Sequence, residues 1–304
     1  MRLAEFQKKA IADLGGIYPE PEARSIVSLL LQERLGLPNY AVVTEPNREI
    51  DAAQLEADLK RLQSSEPIQY VLGFAEFYGH RFKVTPDVLI PRPETEELIE
   101  AVLRCPVAAG HDHHVTPDFD RGPLSILDLC TGSGCIAWTL ALEIPDSTVV
   151  GVDISPKALA IARRQFSDPR VRFVKADILA GCPVAAGHDS NVIPDPIGNL
   201  GDFDIIVSNP PYVLESERAD MRRNVLDYEP ELALFVPDDD PLKFYRALAD
   251  IAKNHLSPGG FGIFEANSLF CAEIAELLRS HFTCVKILQD ISARDRFVSF
   301  TNAE

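Results

Sequence analysis

The 304 residues contain no apolar run of membrane-spanning length, which argues against a helical membrane protein. The amino end, Met1-Arg2-Leu3-Ala4-Glu5, reads as a polar helix start and lacks the apolar centre of a secretory signal. Six cysteines (Cys105, Cys130, Cys135, Cys182, Cys271, Cys284) form no CxxC pair and no disulfide-framework spacing, so a reducing cytoplasm is the expected compartment. Positive charge is also scarce, with 29 Lys and Arg against 46 Asp and Glu and a net charge of −17. Residues 1–90 hold 10 basic and 13 acidic side chains, so the amino-terminal part is no basic arm. Gripping nucleic acid by its phosphates needs cations gathered on one face. The acidity therefore favours a protein or small-molecule partner and argues against direct nucleic-acid binding. No Ser/His/Asp or Cys/His arrangement is present, and no metal site is expected. An enzyme built from this chain would work by positioning its reactants.

What remains is ordinary globular composition, 46% hydrophobic and 25% charged, in a chain long enough for two domains. Residues 1–73 read as a small helical domain. Leu3, Phe6, Ala10, Ile11 and Leu14 recur at helical spacing before Gly15-Gly16, and Glu22 to Leu35 forms a second amphipathic stretch closed by Gly36. Asp51 is a candidate N-cap for a third helix with Leu55, Leu59 and Leu62 on its apolar face. This domain carries no catalytic constellation, which leaves recognition of a partner or simple stabilisation as its task. Tyr70 to Phe74, Glu76 to Gly79 and Arg81 to Val84 look like short aromatic strands, and a β-hairpin linker over 74–90 fits them.

From residue 91 to 304 strands and helices alternate, which predicts a parallel sheet. Ser125 to Leu129 is a buried strand running into Cys130-Thr131-Gly132-Ser133-Gly134 and a helix from Ile136 to Leu142. A glycine loop there lets backbone approach a ligand near the amide-rich start of a helix. Thr148 to Asp153 is a second strand ending in an acid, 19 residues beyond Gly134, near the spacing at which a carboxylate accepts from ribose hydroxyls. Asp177 ends a third strand. Acids at successive strand ends suit a cationic, phosphate-free nucleoside such as S-adenosylmethionine better than a dinucleotide. Ser257-Pro258-Gly259-Gly260 reads as a turn before a fifth strand, Phe261 to Glu265. Cys284 to Leu288 and Arg296 to Phe300 read as a closing antiparallel pair.

Asn209-Pro210-Pro211-Tyr212 follows the strand Phe203 to Val207. Consecutive prolines make this loop stiff and set its carbonyl directions. The Asn209 side-chain oxygen and the Pro210 carbonyl could each accept one hydrogen of a planar NH2 group while the Tyr212 ring covers its face. Accepting both hydrogens draws the nitrogen toward a pyramidal shape and frees its lone pair. Downstream, Asp227 to Leu234 is a candidate pocket rim.

Cys105-Pro106-Val107-Ala108-Ala109-Gly110-His111-Asp112 recurs letter for letter at 182–189. Two isolated copies do not make a repeat fold. They read as surface insertions near 105–122 and 182–199, and His111, His113 and His114 read as solvated loop residues.

Together, Leu89 to Glu96, Asp128 to Gly134, Val152 to Pro156, Ser208 to Tyr212 and Arg294-Asp295-Arg296 resemble the release factor glutamine methyltransferase family (HemK/PrmC). The resemblance implies an α/β fold: a seven-stranded class I methyltransferase (Rossmann-like) domain with a small N-terminal helical domain and a β-hairpin linker. It implies methylation of the side-chain amide nitrogen of the glutamine in the Gly-Gly-Gln motif of peptide chain release factors. S-adenosylmethionine would be the donor and S-adenosylhomocysteine the product. By position, Cys130, Thr131, Gly132, Ser133, Gly134, Asp153, Asp177 and Asn209 would line the cofactor site. Asn209, Pro210, Pro211 and Tyr212 would hold the glutamine, with Asn209, Pro210 and Tyr212 catalytic. Cys130 stands where the family commonly has glycine. A glutamine of a ribosomal protein, or an adenine N6 or guanine N2 amine, are the alternative acceptors.

Overall fold

The computed structural model describes residues 1–109, 122–180 and 201–303. His111, His113, His114 and the second copy of the octapeptide lie outside them. The chain divides into two compact units, one of residues 1–74, 84–86 and 221–229, the other of 75–83, 87–220 and 230–304.

The first unit is helical. Leu3–Leu14 buries Leu3, Phe6, Ala10 and Leu14, and Glu20–Leu35 buries Ala23, Ile26, Val27, Leu30 and Leu31. Spacings of three and four put each set on one face, so the two stripes close one core with Leu55, Leu59 and Leu62 of Ala53–Gln63. Ala52, not Asp51, takes the N-cap position of that last helix, and Asp51, one residue earlier, accepts from Ala53 N through its side chain at 3.0 Å. The buried Asp58 is paired with Arg34 at 2.7 Å, which satisfies a charge that burial alone would penalise. Where the aromatic pattern suggested a strand, Ile68–Leu72 is a short helix begun by Pro67 and ended by Gly73 at φ +86°. Its Ile68, Tyr70 and Val71 face inward, so burial and a terminal glycine override the strand-like composition. Residues 221–229 group with this unit. The Arg222 guanidinium bonds Glu22 at 2.8 Å, and the Tyr228 hydroxyl donates to Ser64 O at 2.8 Å.

The second unit opens with a hairpin, β1 (Phe74–Phe77) and β2 (His80–Lys83), whose Phe77 and Phe82 are buried in its core. Then come β3 (Leu124–Leu129), β4 (Ser147–Asp153), β5 (Val171–Lys175) and β6 (Phe203–Ser208). The short pair β7 (Val213–Leu214) and β8 (Phe235–Val236) is followed by β9 (Leu256–Glu265), β10 (Thr283–Gln289) and β11 (Asp295–Thr301). Seven strands form one sheet in the order β10-β11-β9-β6-β3-β4-β5. β3 pairs parallel with β4 and β6, while β11 runs antiparallel to β9. Helices Glu96–Leu103, Cys135–Glu143 and Pro156–Ala162 cover one side, and Lys243–His255 and Cys271–Arg279 the other, giving two apolar layers around a buried sheet.

Two further readings of the sequence need correction. Ser257 to Gly260 is no free turn but the start of β9, joined to β6 through an irregular register. Phe203 pairs with Leu256 and Ile205 with Phe261, so the glycines occupy a bulge rather than a break. The first octapeptide copy is not all surface either. Cys105 and Ala108 are buried, and Pro106–Ala109 is one helical turn, because its apolar residues find the layer of Leu98, Ile99 and Val102.

Candidate active site

Strand register assembles the site. Leu129 of β3 lies opposite Val152 of β4 and Ser208 of β6, and Ser208 lies opposite Phe264 of β9. The next residue on each strand or loop is therefore Cys130, Asp153, Asn209 and Glu265, one row along the carboxyl edge where β3 and β6 lead chains in opposite directions. Open α/β sheets place ligands at such a point. The Ser208 hydroxyl donates to Leu129 O at 2.7 Å and fixes the two loops' starting points.

The glycine loop is held by carboxylates. Asp153 Oδ2 accepts from Gly132 N at 2.8 Å and its Oδ1 from Ser155 N at 2.8 Å. Burial pushes its carboxyl upward, opposed by these amides. Asp128, fully buried, accepts from the Thr131 hydroxyl at 2.5 Å and from Ala137 N at 3.1 Å through one oxygen. Its other oxygen has no partner among the described residues, and burial pushes its carboxyl up to about 7. Cys130 has φ +61°, the left-handed region in which an L side chain is strained and glycine is not. A glycine would take this backbone freely, and Cys130 takes it at a cost. Burial raises the thiols of Cys130 and Cys135, so neither is an activated nucleophile.

Across the edge, the Asn209 amide nitrogen lies 3.1 Å from Thr95 Oγ1, and the Thr95 hydroxyl lies 2.7 Å from Glu265 Oε2. The Tyr212 hydroxyl donates to Glu265 Oε1 at 3.0 Å. Glu265 and Thr95 are buried. Burial raises the Glu265 carboxyl, while Thr95, Tyr212 and the Arg296 charge favour its ionised form. Burial and the Glu265 charge raise the Tyr212 hydroxyl, which stays protonated.

A cleft of about 1140 Å³, counting its open mouth, runs along this edge. It is lined by Cys130, Thr131, Gly132, Ser133, Asp153, Asp177, Asn209 and Pro211 of the sequence-derived set. Gly134, Pro210 and Tyr212 do not line it. Gly134 instead caps Cys135–Glu143 at φ +80°, where a Cβ would come within 3.0 Å of Ala162 and 3.1 Å of Trp138. Of the proposed rim, Pro230, Leu232 and Ala233 line the cleft. Asp177 is exposed, its carboxylate accepting from Leu179 N at 2.9 Å. Two members of the site went unread in the sequence, Thr95 and Glu265. Glu265 carries the signal used for Asp153, an acid ending a buried strand; Thr95 carries none that separates it from its neighbours.

The cleft fits a methyl donor of the S-adenosylmethionine kind. It offers backbone amides at a glycine loop, acids at Asp153 and Asp177, and apolar walls at Ile154, Ile178 and Leu179. It offers no cluster of lysines or arginines for phosphates. Among the described residues no group of His, Cys, Asp and Glu could hold a metal ion, and no helix is long and apolar enough to cross a membrane.

Residues 126–193 match the model of a methyltransferase domain and residues 5–73 that of the PrmC N-terminal domain. A release factor glutamine methyltransferase of Bacteroides thetaiotaomicron is 37% identical over 304 residues, covering 98% of each chain. That of Chlorobaculum tepidum is 39% identical, covering 91% of this chain and 90% of its own. Among solved structures, the hMettl16 catalytic domain in complex with MAT2A 3'UTR hairpin 6 superposes with a TM-score of 0.52 at 14% identity, over 79% of this chain and 81% of that one. That likeness concerns the fold alone.

Proposed function

Because this chain belongs to the release factor glutamine methyltransferase family, we propose that it methylates the side-chain amide nitrogen of the glutamine in a release factor's Gly-Gly-Gln motif. The observation that carries the reading is the register row, which sets Asn209 beside the glycine loop and Asp153 on one sheet edge. When bound, S-adenosylmethionine supplies an electrophilic sulfonium methyl. The Gly132 region, Asp153 and Asp177 would hold its nucleoside, and Cys130 to Ser133 would flank it.

Asn209 Oδ1, in the cleft lining, would accept one hydrogen of the glutamine NH2, and the Pro210 carbonyl would accept the other from a glutamine that reaches past that lining. An amide nitrogen attacks poorly because its lone pair is delocalised into the carbonyl. Two acceptors would bend it out of plane and localise that pair toward the donor, so that the N–C bond would form as the S–C bond breaks, S-adenosylhomocysteine would leave, and the methylated nitrogen would lose one hydrogen as a proton to solvent. Tyr212, anchored through Glu265, stiffens the loop that presents Pro210. Most of the acceleration comes from holding two reactants in line. The helical unit is proposed to recognise the release factor, since no catalytic cluster was found in its sequence.

The deciding experiment incubates the protein with labelled S-adenosylmethionine and, separately, purified release factor, ribosomal protein, DNA and rRNA. Mass spectrometry should find one methyl group on the Gly-Gly-Gln glutamine. Incorporation only into the other acceptors would overturn the reading.

A further inference from the structure

The hydrogen bonds around Asn209 carry more than support, because with Glu265 in its ionised form each has only one consistent direction. An ionised carboxylate accepts and cannot donate, and a hydroxyl has a single hydrogen to give. With Glu265 ionised, its Oε2 takes the Thr95 hydrogen at 2.7 Å. Thr95 Oγ1 can then only accept from its other neighbour, so the 3.1 Å contact to Asn209 must be made by the Asn209 NH2. The reversed amide would set two oxygens against each other with no hydrogen between them. Asn209 Oδ1 is thereby left as the free end of the side chain, in a residue that lines the cleft.

We propose that Thr95 and Glu265 are positioning residues that fix the Asn209 amide so that its oxygen, and not its nitrogen, meets the glutamine NH2. The inference rests on the function proposed above. An NH2-accepting site fails outright if its own amide is turned around, because two NH2 groups would face each other. Asn alone cannot prevent this, since its two ends are nearly the same shape. The carboxylate at the far end of the chain sets the direction. Glu265 performs the same service for Tyr212, whose hydroxyl must donate to Oε1 at 3.0 Å. Glutamine at 265 would offer one donor and one acceptor, and so would reverse one of the two arms.

The test uses full-length protein, labelled S-adenosylmethionine and purified release factor, measuring kcat, the release factor KM and donor affinity. Thr95→Val removes the acceptor at nearly constant volume. Its kcat should fall about 30- to 100-fold, as for loss of one oriented hydrogen bond at a reacting centre, with donor affinity within about threefold of wild type. Thr95→Ser, which keeps the hydroxyl, should restore kcat to within about threefold. Glu265→Gln should lose at least about tenfold, and the double variant should lose little more than the worse single, because both act through one chain. Should Thr95→Val fail to fold, Glu265→Gln, which keeps its volume, carries the test. A folded Thr95→Val with wild-type kcat, a loss explained by donor affinity, or losses that multiply in the double variant would each overturn the inference. An inactive wild type on release factor would instead sink the functional reading.

Discussion

The two walls of the cleft are built on different plans. The donor wall is local, a loop of consecutive residues from 130 to 133 tied through a backbone amide to Asp153, one strand away. The acceptor wall presents residues 95 and 209 and backs them with 212 and 265, which lie behind the lining, so that three separate elements are joined through side chains. Backbone amides point where φ and ψ put them and tolerate many side chains. A side-chain relay needs each member present and each proton in its place. The donor wall should therefore weaken by degrees when altered, and the acceptor wall should fail abruptly.

Asn209→Ala is the sharpest way to break the acceptor wall alone. Its kcat should drop by at least about a thousandfold, since both the acceptor and the orientation it imposes are lost. Donor affinity, measured by titration calorimetry, should stay within a few fold. Near-normal turnover in a folded variant would mean that Asn209 does not touch the glutamine.

The donor wall invites the reciprocal change. Asp153→Ala removes a carboxylate that holds Gly132 N and Ser155 N and that we propose meets the ribose. Loss of one charge-assisted hydrogen bond costs about 1.5 to 3 kcal/mol, so donor affinity should weaken roughly 10- to 100-fold. At saturating donor, kcat should recover most of its value. If kcat collapsed as it does for Asn209→Ala, the two walls would not be separable.

The same contrast explains what the sequence could reveal. The glycine loop, Asp153 and Asp177 lie at strand ends, and a strand end is visible as a hydrophobic run meeting Gly or Asp. The Asn-Pro-Pro-Tyr loop is legible because its stiffness is written in consecutive residues. Thr95 and Glu265 lie 170 positions apart, and their meeting is fixed only by strand register and the path of the chain before Glu96. Nor could periodicity show that Ser257 to Gly260 continues β9 as a bulge, since glycine and proline signal a turn whenever the neighbouring strand is unseen. Gly134 was legible as a loop glycine, yet its crowding against Ala162 and Trp138 is tertiary.

Beneath the donor wall, Asp128 offers a subtler probe. Its carboxyl, pushed up to about 7 by burial, binds a proton more tightly folded than unfolded. A raised carboxyl adds stability at low pH that is lost as pH rises through about 7. From about pH 5.5 to about pH 8.5, the stability of wild type relative to Asp128→Asn should fall by on the order of 2 kcal/mol. Urea unfolding of both proteins across that range gives the difference. A flat difference would mean that Asp128 keeps one protonation state across that range and that its carboxyl does not titrate near 7.

The smallest effect concerns Cys130. Replacing it by glycine relieves a left-handed backbone but removes a thiol packed against the core and loosens the unfolded chain. These contributions are each about 1 kcal/mol and oppose one another, so they largely cancel. The comparison of Cys130→Gly with Cys130→Ala separates them. Both lose the thiol, and only alanine keeps the strain. Cys130→Gly should be the more stable of the two by about 1 kcal/mol in urea unfolding. Equal stabilities would show that the loop relaxes away from φ +61° once the cysteine is gone. The donor wall would then owe its shape to side-chain packing as much as to backbone, and its difference from the acceptor wall would narrow.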